Sequence, residues 1–477
     1  MRNIPDILLL VSSILNSASF LTSPPTAPQD ISDPSLPGQP SDSSHSLHPP
    51  QPLPSLDGFN PTKSHLTGRF IQVTDFHLDP TYLEGSDPSE LCHRKSSYAG
   101  TVAGKFGVLG SKCDSPVVLV ESAFQFMKKN LSDVDFIMYT GDSARHDRDK
   151  SVQPRTADDE LQDQRAIVNY FTKTFDFSRI KIFPTIGNND VYDNNIVEWK
   201  DPQFGKVKDL WKPFGLNLTQ DFNDFGYFVQ DIVKGKLRAV SVNTMGFLKK
   251  NKNVSDCDDP KSPGALHLQW LTQVLEDARR QNIKTYIIAH VPPNGKKDQP
   301  LFRDVCYTEY YKLLGTYADT ILGHFAGHFN NDMLTAVLRQ QTDYVHAAAV
   351  GSTSTLATNE VEFNNFVTGL FNAPSVVPVN NPAIRVYEYE TKGGKYPVGT
   401  IRDWYQYYAD INEANQSGQL TFRLEYQASK LFGVDHFDGD GLKAVFLKLT
   451  QDQIAQQDYN KFVTVSSEGE VDDDEDD

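Results

Sequence analysis

Five apolar runs in this chain stop at short polar clusters: Asp75-Phe-His77, Gly141-Asp142-Ser143, Gly187-Asn188-Asn189-Asp190, His290-Val-Pro-Pro and Gly327-His328-Phe-Asn330. Each cluster alone has an ordinary reading. Asn after Gly is a turn residue, because it tolerates left-handed backbone and bonds its own main chain. Gly-Asp before Ser is a turn or a helix cap, and His290 at a strand end is a core histidine. Their joint occurrence, in order and each after an apolar run, points to one site. A pair of divalent metals needs carboxylates to bridge and neutralise, imidazoles for affinity, and open positions for water.

The elements that must position these residues follow from periodicity. Residues 69–74 alternate and are rich in β-formers, so they read as a strand. DFIMYTGDS is a continuous apolar run of the buried-strand type. KIFPTIGNND, KLRAVSVNT, KTYIIAHVPP, DTILGHFAGHFNND and AIRVYEYE read as further strands. Helical patterns cover 116–130 and 159–174, and HLQWLTQVLEDARRQ is amphipathic. Strands alternating with helices make an α/β domain, and in such sheets ligands gather at the carboxyl ends of strands. After Thr391 the pattern turns mostly helical, beginning with TIRDWYQYYADINEAN, which predicts a mainly helical C-terminal extension over 392–467. DHFDGDG (435–441) lacks the spacing and terminal Glu of an EF-hand and reads as a surface turn.

The order DxH, GDxxxHD, GNND, HVPP, GHxN resembles the calcineurin-like metallophosphoesterases, whose usual string is DxH, GD, GNH(D/E), H, GHxH. Within that superfamily the chain is similar to the fungal vacuolar endopolyphosphatases, relatives of acid sphingomyelinase. GRFIQVTDFHLDP, LCHRK, KCDSP, YTGDSARHD, IGNNDVYDNNI, GHFNND and PSVVPVNNPAIRVYEY carry the resemblance, which covers about residues 68–467. It implies a metallophosphoesterase-type β-sandwich flanked by helices over 65–391. It also implies two divalent metal ions (Mn, Mg, Co, Zn or Fe) and cleavage of phosphoanhydride bonds within inorganic polyphosphate. The alternative is an acid-sphingomyelinase-like phosphodiesterase acting on lipid or nucleotide diesters. A non-catalytic binding protein on the same fold is a third reading.

Carried over residue by residue, the resemblance gives the first metal to Asp75 and His77, with Asp142 bridging both ions. Asn188, His290 and His328 take the second. Asn330 stands at the last position of the GHxH string, where an amide oxygen, a harder ligand than imidazole, favours Mg²⁺ or Mn²⁺ over Zn²⁺. His324 is a second Gly-His at a shorter register, and the following Asn-Asn-Asp favours His328. Asn189 occupies the place of a histidine that protonates the leaving oxygen, which an amide cannot do. A phosphate-chain leaving group tolerates that loss better than an alkoxide. His146 is the remaining acid or phosphate clamp. Arg145, Arg148, Arg94 and Lys112, with Lys95 and Lys105, are the cations expected along a polyanion's path.

Composition bounds the partners. Net charge is −17, which argues against nonspecific nucleic-acid binding. Part of the excess is the acidic tail 468–477, expected to be disordered. Arg2 precedes the apolar run Ile7–Leu15. That run is short for the roughly 20 residues that span a bilayer, so residues 1–21 read as a secretory signal peptide or as a signal anchor. Residues 22–64 are a Pro/Ser-rich linker. Four cysteines after such a segment fit two disulfides, and the sequence-local pairs Cys92–Cys113 and Cys257–Cys306 are favoured. Asn130, Asn217, Asn253 and Asn415 are N-glycosylation sequons. By resemblance the expected location is the vacuole lumen or membrane, with secretion as the alternative and membrane anchoring through the N-terminal segment. The sequence implies no oligomeric state.

Overall fold

In the run RFIQV, successive side chains point to opposite faces, and Phe70, Ile71 and Val73 are all fully buried. A strand buried on both faces belongs inside a layered fold. The computed structural model describes residues 68–95, 102–349 and 365–467. The N-terminal apolar run, the linker and the acidic tail lie outside the described residues. Among the described residues no helix is long and apolar enough to cross a membrane.

The first half contains β1 (Arg69–Val73), β2 (Leu78–Asp79), β3 (Ser115–Pro116), α1 (Val117–Asn130), β4 (Phe136–Tyr139), α2 (Ala157–Thr174) and β5 (Lys181–Pro184). Next come α3 (Pro202–Leu210), α4 (Gln220–Phe225), β6 (Phe228–Val233), β7 (Leu237–Ser241), α5 (Pro263–Arg280), β8 (Lys284–Ile288), α6 (Asp304–Thr316) and β9 (Ile321–Ala326). Then follow β10 (Met333–Gln340), β11 (Asp343–Ala348), β12 (Phe366–Asn372), β13 (Ala383–Tyr389) and β14 (Ile401–Tyr408). The described chain closes with α7 (Ile411–Ser417), β15 (Arg423–Gln427), α8 (Ala428–Phe432), α9 (Gly439–Gln451) and α10 (Gln453–Val463).

Two sheets form. One has the order β15-β14-β13-β1-β4-β5, the other β11-β10-β12-β9-β8-β7-β6. Within them β1, β4 and β5 run parallel, as do β7, β8, β9 and β12. One core packs the sheets together: Phe70, Phe136, Met138 and Phe183 meet Tyr286, Ile288 and Phe325. Phe70 stacks on Phe136 at 4.6 Å and on Tyr387 at 4.8 Å, and meets Phe325 of the other sheet edge-on at 5.6 Å. Such ring pairs add about 0.5–1.5 kcal/mol each beyond area burial. The alternate residues Ile71, Val73, Ile137, Tyr139 and Ile182 face the second core, against Leu119, Phe124, Ile167 and Phe171 of α1 and α2. The fold is the expected α/β sandwich flanked by helices.

The C-terminal extension departs from its predicted pattern at the start. Ile401–Tyr408 is a strand, and β14 pairs with β13 on one side and β15 on the other. The aromatic spacing of WYQYY suits either period, and pairing with a ready sheet edge decides it. From α7 onward the extension is mostly helical. The helix expected from 159 begins two residues earlier, because Thr156 and Asp159 form a reciprocal capping box. In the DHFDGDG stretch, Asp438 caps α9 through the amides of Asp440 and Gly441. Both expected disulfides, Cys92–Cys113 and Cys257–Cys306, are formed. Of the sequons, Asn217 and Asn253 are exposed. Asn415 is committed elsewhere: its Nδ2 donates to the Gly107 carbonyl at 3.0 Å and its Oδ1 accepts from Phe106 N at 2.9 Å. The acceptor nitrogen of that sequon is therefore used by the fold. Asn130 Nδ2 likewise donates to Phe126 O at 3.0 Å.

Candidate metal centre

The loops after β1, β4, β5, β8 and β9 meet at one end of the sandwich. They come close because of two glycines. A Cβ on Gly187 would collide with the Asp142 carboxylate, and one on Gly327 with Thr74 Oγ1 and Asp75 Oδ2. Asp75, His77, Asp142, His328 and Asn330 all have positive φ, between 38° and 77°. Strained non-glycine backbone of this kind costs of order 1–3 kcal/mol per residue and clusters at functional sites.

Asp142 stands at the centre. Its Oδ2 lies 3.4 Å from His77 Nε2 and 3.2 Å from His290 Nε2. His77 Nε2 is also 3.5 Å from Asp75 Oδ1, and His290 Nε2 is 2.9 Å from Asn188 Oδ1. Two clusters of donor atoms result, Asp75–His77–Asp142 and Asp142–His290–His328, each within 4.8 Å and sharing Asp142. Ring orientation is fixed from behind. His77 Nδ1 donates to Ala144 O at 3.0 Å and His290 Nδ1 to Thr140 O at 2.6 Å. Both Nε2 lone pairs are thereby turned to the centre, as in metal-binding histidines.

The electrostatics ask for cations. Burial alone would lower His77 and His290. The Asp75 hydrogen bond and Asp142 charge on His77, and the Asp142 and Asp75 charges on His290, outweigh it and raise each to about 9. A proton here holds the place that a metal would take on the same lone pair. His328, half-buried, is lowered to about 3 by that burial and by the charge of His290, and stays neutral, as a ligand must. Burial would raise Asp75, yet His290 and His77 hold it below the ordinary range. Its buried Oδ1 has only the long 3.5 Å approach of His77 Nε2, while Oδ2 accepts from Thr74 Oγ1 and from His328 N. The donor set thus fits two divalent ions: two carboxylates against four positive charges leave a net positive centre suited to an anion.

The other expected residues divide. Asn189 donates from its main-chain N to Asp142 Oδ1 at 2.8 Å and from Nδ2 to Oδ2 at 3.0 Å, so it holds the bridging carboxylate. His146 stacks on His77 with centroids 4.0 Å apart. His146, Arg148 and Lys112 line a cleft of about 660 Å³ beside the centre, together with Lys150 and Asn194. Asn188 Nδ2 donates to Asn194 Oδ1 at 3.0 Å, which joins the cleft wall to a ligand. Arg145 does not line it: the side chain is buried, and its guanidinium reaches the His146 carbonyl at 3.4 Å. Arg94 is also tied up locally, by Glu90, by Asp149 at 3.3 Å and by Ser151 at 2.8 Å. Lys105 lies over the Phe106 ring. His324 is a core residue whose Nε2 meets Tyr310 OH at 2.9 Å, away from both clusters.

Several residues at the site have roles that their place in the sequence does not show. Asp114 binds His146 twice, Oδ1 to Nδ1 and Oδ2 to the main-chain N, both at 2.7 Å. Asp190 accepts from Asp142 N, Ser143 N and Gly187 N at 2.7–2.9 Å, locking the β4 loop to the β5 loop. Buried Arg155 ties Arg145 O to Asn189 O. The two halves of KCDSP and GNND were visible as motifs, but their acids act on partners 32 and 48 residues away.

Endopolyphosphatase of Saccharomyces cerevisiae is 35% identical over 299 residues, 60% of this chain and 44% of its own length. Acid sphingomyelinase-like phosphodiesterase 3b of Homo sapiens is 28% identical over 84% of this chain and 83% of its own. Residues 365–475 match the family described as acid sphingomyelin phosphodiesterase C-terminal region. The chain is similar to both groups. It spans under half the length of the curated endopolyphosphatases it matches. Among solved structures, a dimetal phosphatase from Danio rerio superposes with a TM-score of 0.41 at 13% identity, over 72% of this chain and 96% of its own.

Proposed function

We propose that the protein is a metal-dependent hydrolase that cuts phosphoanhydride bonds within inorganic polyphosphate. The observation that carries this is the pair of donor clusters sharing Asp142, set beside a cleft with Lys112, Arg148 and Lys150 on its wall. The 35% identity to an endopolyphosphatase supports the choice of substrate. Asp75, His77, Asp142 and Asn330 would hold one divalent ion, and Asp142, Asn188, His290 and His328 the other. When bound, the ions supply Lewis-acid charge to the phosphoryl oxygens and acidify water.

The chain's own residues do the rest. Asn189 and Asp190 hold the Asp142 loop rigid, so little reorganisation is needed when charge develops. His146, its Nδ1–H held by Asp114, meets a phosphoryl oxygen at the cleft as a donor when Nε2 carries the second proton, a charge that Asp114 stabilises. Lys112, Arg148 and Lys150 bind the anionic chain beyond the reacting bond and position it, and positioning carries much of phosphoryl transfer. Asn189 offers no proton to the leaving group, which suits a phosphate chain better than an alkoxide. Placement in the secretory pathway belongs to the same proposal, in the vacuole lumen or membrane or outside the cell. The two disulfides and the exposed sequons Asn217 and Asn253 support it.

A second reading has its own support. The sphingomyelinase-like relatives align over most of both chains, and the C-terminal match is to that family. The test separates the two. Purified protein is incubated with long-chain polyphosphate after EDTA treatment and with Mn²⁺, Mg²⁺ or Co²⁺ restored, and in parallel with sphingomyelin and a nucleotide diester. Metal-dependent shortening to intermediate lengths is expected. Release of monophosphate alone overturns internal cutting, and diester cleavage without polyphosphate cleavage moves the assignment to the phosphodiesterases.

A further inference from the structure

The loop that carries His328 and Asn330 is not held by its own strand. Asn331 O accepts from Asn372 Nδ2 at 3.0 Å, and Asn380 Nδ2 donates to both Asn330 O at 2.9 Å and Asn331 Oδ1 at 3.0 Å. Asn380 Oδ1 in turn accepts from Ser467 Oγ at 3.0 Å. The neighbouring Asn381 donates to Val465 O at 3.0 Å, and Asp332 N donates to Val463 O at 3.0 Å. Asp332 is fully buried between Arg385 at 2.7 Å and the hydroxyls of Tyr426 and Tyr459. These contacts to residues 330–332 come from 372–385, from Tyr426 of β15 and from the last turns of the described chain.

That end is itself constrained. Val465 is fully buried with φ 51, and Ser466 follows with φ 52. A β-branched residue in this region is an outlier that persists only when its surroundings impose it. Ser466 Oγ is anchored to Glu425 at 2.6 Å. The strained turn presents Val465 O to Asn381 and Ser467 Oγ to Asn380, the two contacts that lead to the ligand loop.

We propose that Val463–Ser467 is a clasp which, through Asn380, positions Asn330 and so sets the affinity of one of the two metal positions. Asn380 and Ser467 are positioning residues, since neither is among the donor atoms of the centre. The inference rests on the metal reading of Asn330. Its consequence is selective. The second cluster is Asp142, Asn188, His290 and His328; the first three do not touch the clasp, and His328, on the same loop as Asn330, has its own anchor, its main-chain N donating to Asp75 Oδ2 at 3.0 Å. Losing the clasp should therefore weaken one ion and spare the other.

Full-length wild type, Asn380→Ala, Ser467→Ala and, as a packing control, Leu275→Ala are stripped of metal. Each is titrated with Mn²⁺ by equilibrium dialysis, and the melting temperature of the metal-free protein is recorded. Wild type is expected to bind two ions. Asn380→Ala should weaken one at least tenfold and leave the other unchanged, with Ser467→Ala weakening the same ion less. Leu275→Ala should lower the melting temperature with both affinities intact. If Asn380→Ala does not fold, Ser467→Ala decides, with Ser467→Thr restoring the affinity. Unchanged affinities in the Asn380 and Ser467 variants, or equal weakening of both ions, overturn the clasp alone. A wild type that binds no Mn²⁺ overturns the metal reading and the clasp with it.

Discussion

Replacing Asp114 by Asn tests how His146 works. The carboxylate takes two donors from His146, Nδ1–H and the main-chain N–H, each at 2.7 Å, in a site where the two side chains are only 8% and 11% exposed. An amide of the same shape can accept only one of them and turns its own N–H₂ toward the other. The imidazole then loses the carboxylate that holds its Nδ1–H and favours a second proton on Nε2, the donor to the phosphoryl oxygen. A hydrogen bond to a charged group contributes about 1.5–3 kcal/mol, and 1.36 kcal/mol is tenfold in rate. Asp114→Asn should therefore slow polyphosphate cleavage about 10- to 150-fold with two metal ions still bound. His146→Ala should cost at least as much, and the double variant no more than His146→Ala, because groups acting as a unit are not additive. The assay is single-turnover chain shortening alongside elemental analysis. Additive losses in the double variant, or loss of metal in Asp114→Asn, would refute a role exercised through His146.

Three other outcomes are expected. Asp142→Asn should abolish hydrolysis and lower metal content while leaving the circular dichroism unchanged, because one carboxylate faces both clusters; retained activity sinks the shared-ligand reading. Arg148→Glu with Lys112→Glu should raise KM for long chains about tenfold or more with little change in kcat, and the difference should shrink in high salt as the cleft field is screened; a salt-independent loss argues against an electrostatic path. Stability should fall as pH rises from about 4 to about 8: burial, against the Arg145 main-chain N–H and the Arg145 charge, raises Asp163 to about 8. The folded state therefore holds a proton that the unfolded state releases near the ordinary carboxylate pKa, and the stabilisation present at low pH is lost through that window. Thermal melts of Asp163→Asn should show a shallower slope over this range, and an unaltered slope would assign the dependence elsewhere.

How much of this was legible depended on where each residue's partner lies. The candidate ligand positions were legible because each follows an apolar run, the pattern a buried parallel strand leaves in a sequence. Arg145 was misplaced for a physical reason: a cation beside a catalytic motif reads as solvent-facing, and only the fold shows it turned to the His146 carbonyl. Asp114 and Asp190 look like turn acids until strands far apart in sequence bring their partners to them. Ile401–Tyr408 went to the sheet because β13 offered an edge, a tertiary effect that local periodicity does not contain.

The left-handed backbone at Asp75, His77, Asp142, His328 and Asn330 has a bearing on metal exchange. These conformations are imposed by close glycines, carbonyl contacts and the asparagines around them, none of which is a donor to the ions. Replacing one divalent cation by another need not remake the loops. The identity of the resident ion then becomes a question of supply and softness, decided by what the surrounding compartment offers to a mixed set of oxygen and nitrogen donors. A chain built this way would change its catalytic temper with the mineral content of its surroundings while keeping its shape.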